Sequence, residues 1–412
     1  MHVLFLTDNF PPEVNAPATR TYEHARLWVE AGHQVTVVTC APNFPTGRVF
    51  EGYRNRLVSR EVCDGIRVVR VWSYITANKG FFRRSLDFAS FMAAATVAGL
   101  FVRKPDVVVA TSPQFFTAIA GWAVGALRRR PFVFELRDLW PESIRAVGAM
   151  EKGRAFRTLS FLEMFLYRRA AAVVSVTNAF RDNLINRGID ERRVHVVTNG
   201  VDLVRFKAGP ADAALAESLG VSGKFVAGYV GTHGMAHSLE TLLDAAALLR
   251  GRDDIRLLLI GDGAEKNRLR QMASDKGLSN LLFVDTVQRS EIRRYLSILD
   301  AAVVHLKDTP LFETVIPSKI FEAMAMGIPL VHGVRGESAA IVAEAGAGIV
   351  VPPEDAQAIA AALVRIADDP ALAARLGGAG REAALGYDRS VLAGQMLEVL
   401  VDVSGARGSA RR

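Results

Sequence analysis

Phe225-Val226-Ala227-Gly228-Tyr229-Val230-Gly231-Thr232-His233-Gly234-Met235-Ala236-His237-Ser238 reads as a buried strand, a glycine turn and the start of a helix. Six mostly apolar residues ending at a glycine suit a strand, and the 3.6-residue pattern of 238–249 begins straight after the turn. Strand, short loop and helix open a parallel α/β sheet, whose next strand returns by a crossover. Gly231 and Gly234 let the backbone approach a ligand, with Thr232, His233 and His237 beside it and Ser238 placed to cap the helix. A tight strand-to-helix turn needs glycine with or without a ligand, so this loop alone decides nothing about chemistry.

Outward from that stretch the pattern repeats. Apolar runs at 256–260, 281–284, 301–306, 330–332 and 348–351 alternate with helical patterns such as 265–276 and 318–326. Before it, runs at 2–7, 34–39, 66–72, 106–110, 132–136, 172–176 and 194–197 do the same, with a helix at 20–31. A loop-like stretch at 201–212 separates the two series. Two α/β domains follow, 1–203 and 204–386, with a helix at 387–404 returning to the first and a frayed basic tail at 405–412. A length of 412 residues suits two cores of about 200 residues each. Two cysteines, Cys40 and Cys63, are too few for a disulfide framework, and no signal-like start precedes the first strand; both fit a reducing cytosol.

Residues 1–203 hold 27 Lys and Arg against 18 Asp and Glu, whereas the remainder holds 23 against 25. A basic first half points to an anionic surface or ligand. Nucleic acid is not expected, because no helix-turn-helix, zinc or RNA-binding motif accompanies the charge; a basic surface serving solubility stays open. The stretch 88–102 is uncharged and flanked by Lys79, Arg83 and Arg84 before and Arg103 and Lys104 after. A span needs about 20 apolar residues, so the segment is a core helix or one half-sunk in an anionic membrane face; the surplus charge favours the second.

Helix N-termini beyond strand ends offer free N–H groups and a positive dipole to phosphate. Besides the stretch at 231–238, two others fit. One runs from Thr7 to Arg20 and holds Asn15, Ala16 and Thr19 at a helix start, with Arg20 in its first turn. The other is Ile316-Pro317-Ser318-Lys319-Ile320-Phe321-Glu322, in which Ser318 can cap, Lys319 stands at the positive end and Glu322 lies one turn on. Such a cation neutralises a diphosphate leaving group and such a carboxylate accepts two ribose hydroxyls. A capping box of Ser318 and Glu322 explains the same residues equally well.

Four pieces carry a family resemblance: Val197-Thr198-Asn199-Gly200-Val201-Asp202 with Phe206; Ile260-Gly261-Asp262-Gly263; Asp300-Ala301-Ala302; and Phe321-Glu322-Ala323-Met324-Ala325-Met326-Gly327-Ile328-Pro329. In this order and spacing they resemble glycosyltransferase family 4, whose GT-B fold sets two Rossmann-like domains with parallel sheets facing a central cleft. Asn9-Phe10-Pro11-Pro12-Glu13, Ala18-Thr19-Arg20, Gly32-His33-Gln34-Val35-Thr36-Val37, Arg137-Asp138-Leu139-Trp140-Pro141-Glu142-Ser143 and Pro317-Ser318-Lys319 are similar to the branch that builds O-antigen, capsule and related polysaccharides. The best-known members of that branch move N-acetyl-L-fucosamine from a UDP donor to a lipid-linked acceptor at the cytosolic membrane face.

The resemblance implies a retaining glycosyltransferase with a UDP-sugar as co-substrate, a lipid-diphosphate-linked saccharide as acceptor and an anionic membrane surface as partner. It assigns the donor to Glu322, Ser318, Lys319, Gly231, Thr232, His233, Gly234, His237, Gly261, Gly263 and Thr314. Asp138 and Arg137 become candidates for acceptor orientation or proton transfer beside Lys319, Arg20 for reaching the phosphate, and the loop of Asn15, Ala16 and Thr19 belongs to the first domain's site. No D-x-D motif occurs, so metal-independent turnover is expected. Several positions depart from the family. Thr314 stands where a first glutamate is common, with Glu313 next to it; Thr232 and His237 replace a phosphate-binding Arg and Lys; Asn15-Ala16 replaces a glycine pair; Arg137 replaces a frequent histidine. Two other readings therefore stay open, a nucleotide-sugar epimerase on the same frame and a non-catalytic binding subunit of a polysaccharide assembly complex.

Overall fold

The computed structural model describes residues 1–44, 46–76, 81–112, 114–141, 153–288 and 290–405. Lys79, Glu142, Ser143 and the tail from 406 onward lie outside the described residues. The chain divides into two units, Met1–Thr198 with Arg389–Arg412, and Asn199–Asp388.

The first unit carries an eight-stranded sheet of β1 (His2–Leu6), β2 (Gln34–Cys40), β3 (Val58–Cys63), β4 (Ile66–Val71), β5 (Val107–Thr111), β6 (Phe132–Leu136), β7 (Ala172–Ser175) and β8 (Val194–Val196), in the order β3-β4-β2-β1-β5-β6-β7-β8. Every pairing is parallel except β3 with β4. β1, β5, β6 and β7 are buried at each position, the continuous apolar run expected of strands covered on both faces. β3 has no such run. Val58-Ser59-Arg60-Glu61-Val62-Cys63 alternates between exposed and half-buried as an edge strand, which hid it from the apolar pattern.

The second unit carries a fully parallel six-stranded sheet of β9 (Phe225–Val230), β10 (Ile255–Ile260), β11 (Leu281–Val284), β12 (Ala301–His305), β13 (Leu330–Gly333) and β14 (Gly348–Val350), ordered β11-β10-β9-β12-β13-β14. The strand order reverses between β1 and β5 in the first sheet and between β9 and β12 in the second. Ligands of doubly wound sheets bind outside the carboxyl ends of the strands at such reversals.

The divide falls at Thr198 and Asn199, slightly before residue 204, because Val201 donates its N–H to the Tyr387 carbonyl at 3.0 Å and bridges Asp388. The final helix, Arg389–Ser404, packs on the opening helix, Ala16–Glu30. Trp28 donates its indole N–H to the Ala393 carbonyl at 2.8 Å, and Arg389 pairs with Glu23. Their apolar faces share one core with β1, β2 and β5.

Three local expectations change. The opening helix begins at Ala16, where the Asn15 side chain accepts the Ala18 N–H at 2.9 Å, so Arg20 lies beyond the first turn. Ser238 caps nothing: its backbone is left-handed, with φ 44°, and its hydroxyl donates to Glu354 at 2.7 Å. Ser318 holds the N-cap position of the helix Lys319–Met326, yet its side chain makes no capping bond because its own backbone is already helical.

Candidate functional site

In the second unit the sequence at 231–238 and the one at 316–322 meet. Lys319, the first residue of its helix, turns its ammonium back over the Tyr229 ring, 4.0 Å from the centroid. A Cβ on Gly231 would stand 2.7 Å from Lys319 Nζ, so a side chain there would make the ammonium shift. Gly231 also has φ +147°, a backbone that side chains disfavour. Tyr229 is fixed in turn by donating its hydroxyl to the Thr232 carbonyl at 2.9 Å. The ammonium, the helix N-terminus and the exposed Thr232 therefore flank the reversal beside β9. Loss of solvent pushes the Lys319 ammonium down to about 7, with Glu322 opposing.

Of the two positions where the family has cationic side chains, one holds the exposed Thr232 and the other His237, and His233 lies between them. His233 is fully buried, and neither ring nitrogen has a partner among the described residues. Burial, then Lys266 and Lys319, push it down to about 4. His237 lacks a partner at Nδ1 and is pushed down to about 4 by burial and by Lys319. Both are neutral at physiological pH, so neither adds positive charge to this loop. His305 is structural: its Nδ1 donates to the His237 carbonyl and its Nε2 accepts the Glu354 N–H, both at 2.8 Å. His332 is fully buried, with Nε2 2.8 Å from the Ser338 hydroxyl.

Gly261 and Gly263 have a packing reason of their own. A Cβ would lie 2.0 Å from the Gly231 carbonyl oxygen at the first and 2.3 Å from the His233 oxygen at the second. They let the loop after β10 press on the loop after β9, and His233 donates its N–H to the Asp262 carbonyl at 2.8 Å. Thr314 lies in the short turn Phe312–Thr314 and gives its hydroxyl to the Leu311 carbonyl at 2.7 Å, while Glu313 is exposed.

In the first unit Arg20 is committed elsewhere than to a phosphate. Its guanidinium is buried and donates to Glu135 Oε1 at 2.8 Å, Thr198 O at 2.6 Å and Val197 O at 2.8 Å. Burial would raise the Glu135 carboxyl, but Arg20 and Arg137 hold it at about 2. Arg137 is pushed down to about 10 by burial, against the attraction of Glu135. The N–H groups of Arg137 and Asp138 both donate to the Ser112 hydroxyl, at 2.7 and 3.2 Å, which places Asp138 at the carboxyl edge of the sheet. Asn15 donates to the Asn9 side chain at 2.5 Å, Ala16 opens its helix and Thr19 is buried.

A recess at the β1 and β5 reversal joins Asp8 and Asn9 of the first candidate loop to residues with no sequence signal of their own. Asp8, Asn9, Asn43, Asp87 and Gln114 line it with Phe44 and Phe88. Burial raises the Asp8 carboxyl, and burial with the nearby Asp8 charge raises Asp87 to about 6. Asp8 and Asn9 follow the first strand, within the stretch from Thr7 to Arg20. Asp87 sits in a segment whose sequence signal is hydrophobicity. Among the described residues no group of three His, Cys, Asp or Glu is arranged as a metal set would require.

Residues 15–200 match the model of the Glycosyl transferase 4-like domain, and residues 213–383 that of Glycosyl transferases group 1. The chain is built from two glycosyltransferase domains. It is 24% identical over 384 residues to the protein named "Putative colanic acid biosynthesis glycosyl transferase WcaI" of Escherichia coli K12, covering 88% of this chain and 91% of that one. Its fold is similar to the sucrose-phosphate synthase of Thermosynechococcus elongatus, with a TM-score of 0.77, 20% identity and coverage of 98% and 99%. It is also similar to Anabaena HepE solved with UDP-glucose, with a TM-score of 0.73, 19% identity and coverage of 98% and 100%. These neighbours share the GT-B arrangement of two parallel-sheet α/β domains. No helix among the described residues is long and apolar enough to cross a membrane.

Proposed function

We propose that this glycosyltransferase moves a sugar, N-acetyl-L-fucosamine or a related deoxy or amino sugar, from a UDP donor onto a lipid-diphosphate-linked glycan. The setting is O-antigen or capsule assembly at the inner face of the cytoplasmic membrane. One observation carries the donor half, the Lys319 ammonium poised over Tyr229 at the mouth of the Gly231 turn. It supports a diphosphate between the Gly231–Gly234 backbone and the helix at Ser318, with the ribose on Glu322.

In this reading the bond from the anomeric carbon to the diphosphate oxygen breaks, Lys319 and the helix N-terminus take up the charge, and the acceptor hydroxyl attacks the same face as it gives its proton to the departing diphosphate oxygen. The recess of Asp8 and Asp87 receives the acceptor sugar, with Asp138 and Arg137 orienting it. The protein meets the leaving-group charge with its own cation, so turnover is metal-independent.

Nucleotide release from UDP-, GDP- and dTDP-sugars, with and without a lipid-diphosphate saccharide, tests the assignment. UDP release that needs the acceptor and resists a chelator is expected. A product formed without acceptor identifies an epimerase, absence of all turnover a binding subunit, and chelator-sensitive turnover rescued by a divalent ion overturns metal independence. Glu322→Gln should weaken UDP binding by about 1.5–3 kcal/mol, the loss of a hydrogen bond to a charged group. Calorimetry showing unchanged affinity removes Glu322 from the ribose.

A further inference from the structure

Helix Phe81–Phe101 buries one side against helix Phe115–Arg128, where a Cβ on Gly99 would stand 2.8 Å from Val124. Its opposite side presents Ser90, Ala93, Ala94, Val97, Ala98 and Phe101, spaced at helical intervals, toward the outer hairpin β3–β4. These side chains are mostly small, so helix and hairpin do not close. They leave an apolar groove of about 1000 Å³. Across it the antiparallel register aligns Val58 with Val71, Arg60 with Val69 and Val62 with Arg67.

The groove is rimmed by large exposed apolar side chains: Leu57 is 81% exposed, Val62 73% and Phe101 82%. A patch of this kind marks an interaction surface. Arg60, Arg67 and Arg103 line the same groove, and none forms an ion pair among the described residues. The one carboxylate present, Glu61, is bound to Arg70 at 2.7 Å. A greasy channel with three uncompensated cations is complementary to a molecule that is hydrocarbon at one end and anionic at the other.

We infer that the groove between helix Phe81–Phe101 and the β3–β4 hairpin takes a hydrocarbon chain of an anionic phospholipid from the bilayer, its phosphate meeting Arg60, Arg67 and Arg103. The inference deepens the membrane part of the proposed function by naming the surface and its ligand. A second copy of the chain is the poorer occupant, since a two-fold contact would set these arginines against their own equivalents. The C-terminal stretch 406–412 is also basic and lacks a large apolar residue to fill the groove.

Trp72 lines the groove and reports on it directly. The full-length protein is titrated with vesicles of phosphatidylcholine alone or mixed with phosphatidylglycerol, the latter also with brominated acyl chains. The expected result is binding to the phosphatidylglycerol vesicles and bromine quenching that disappears in Trp72→Phe. Replacing Arg60, Arg67 and Arg103 together by Gln should weaken that binding about a hundredfold, at about fivefold for each basic residue near the surface. Val62→Asp with Phe101→Asp should abolish the Trp72 quenching, and because both sites are exposed its melting temperature and UDP affinity should match wild type. Equal binding to both vesicle types, quenching independent of Trp72, or a variant that changes only the oligomeric state in sedimentation overturns the inference. UDP affinity measured on the same samples separates its failure from failure of the donor assignment.

Discussion

Lys319→Met should lower kcat/KM about 100- to 1000-fold, the loss seen when a preorganised group facing developing charge is removed. The expectation is this large because no other side chain of the loop shares the task. His233 and His237 are neutral, each pushed down to about 4, and Thr232 carries no charge. What remains after the substitution is the helix N-terminus and the backbone amides, so activity falls without vanishing. Lys319→Arg should recover little. The Gly231 backbone lies close to the ammonium, and a guanidinium is broader and planar.

The pH behaviour gives an independent readout. In the free protein the ammonium loses its proton near 7, so kcat/KM for the donor should decline as pH rises through about 7, and Lys319→Met should lack that limb. Stability runs the other way. A lysine whose folded value lies below its ordinary 10.5 burdens the native state with a buried charge at low pH. Between about 7 and 10.5 the unfolded chain binds the extra proton, so stability rises with pH across that window. Lys319→Met should therefore melt higher than wild type at pH 6, with the gap closing toward pH 10. An unchanged rate profile together with a lower melting temperature would reduce Lys319 to a packing residue.

Much of this architecture is legible along the chain, because buried parallel strands are continuous apolar runs. Thirteen of the fourteen described strands coincide with mostly apolar runs read from the sequence; β3 is an edge strand with alternating exposure and leaves no comparable mark. The two halves of the candidate donor site are also legible, one as a glycine turn and one as Ser318-Lys319 with Glu322. Their meeting is not, since it requires β12 to lie beside β9, a pairing of strands far apart in sequence. Gly261 and Gly263 look like phosphate glycines until the oxygens of Gly231 and His233 are found against them. Asp87 directly precedes the uncharged stretch 88–102 and has no signal of its own until the helix turns it toward Asp8. Arg20 has a sequence context that suits a ligand contact equally well, and only the fold reveals its partners.

Those partners set the second large effect. Glu135→Gln should destabilise the protein by about 3–5 kcal/mol, the usual result of leaving a buried charge unpaired. Glu135 is 1% exposed and Arg20 6% at the side chain, and Arg137 stands close enough to contribute to the same field. Neutralising the carboxylate leaves two buried guanidinium groups facing each other. Arg20→Met should cost less than the sum of parts suggests when combined with Glu135→Gln, since the double variant removes one cation together with the anion, and a double-mutant cycle measures that coupling. The sign of the pH dependence is fixed. A carboxyl held at about 2 when its ordinary value is 4.5 stabilises the fold fully above 4.5 and loses that contribution as pH falls toward 2. The gap in unfolding free energy between wild type and Glu135→Gln should thus be constant from pH 5 to 8 and shrink below 4.5. Arg20 also holds the carbonyls of Val197 and Thr198, the last residues before the second unit begins, so the ion pair braces the place where the chain leaves the first sheet. UDP affinity, which the proposed function assigns to the second unit, should survive the substitution while the first unit melts earlier. A Glu135→Gln protein that melts with wild type at pH 7 would show that this cluster is no brace, and would return Arg20 to the list of side chains free to meet a ligand.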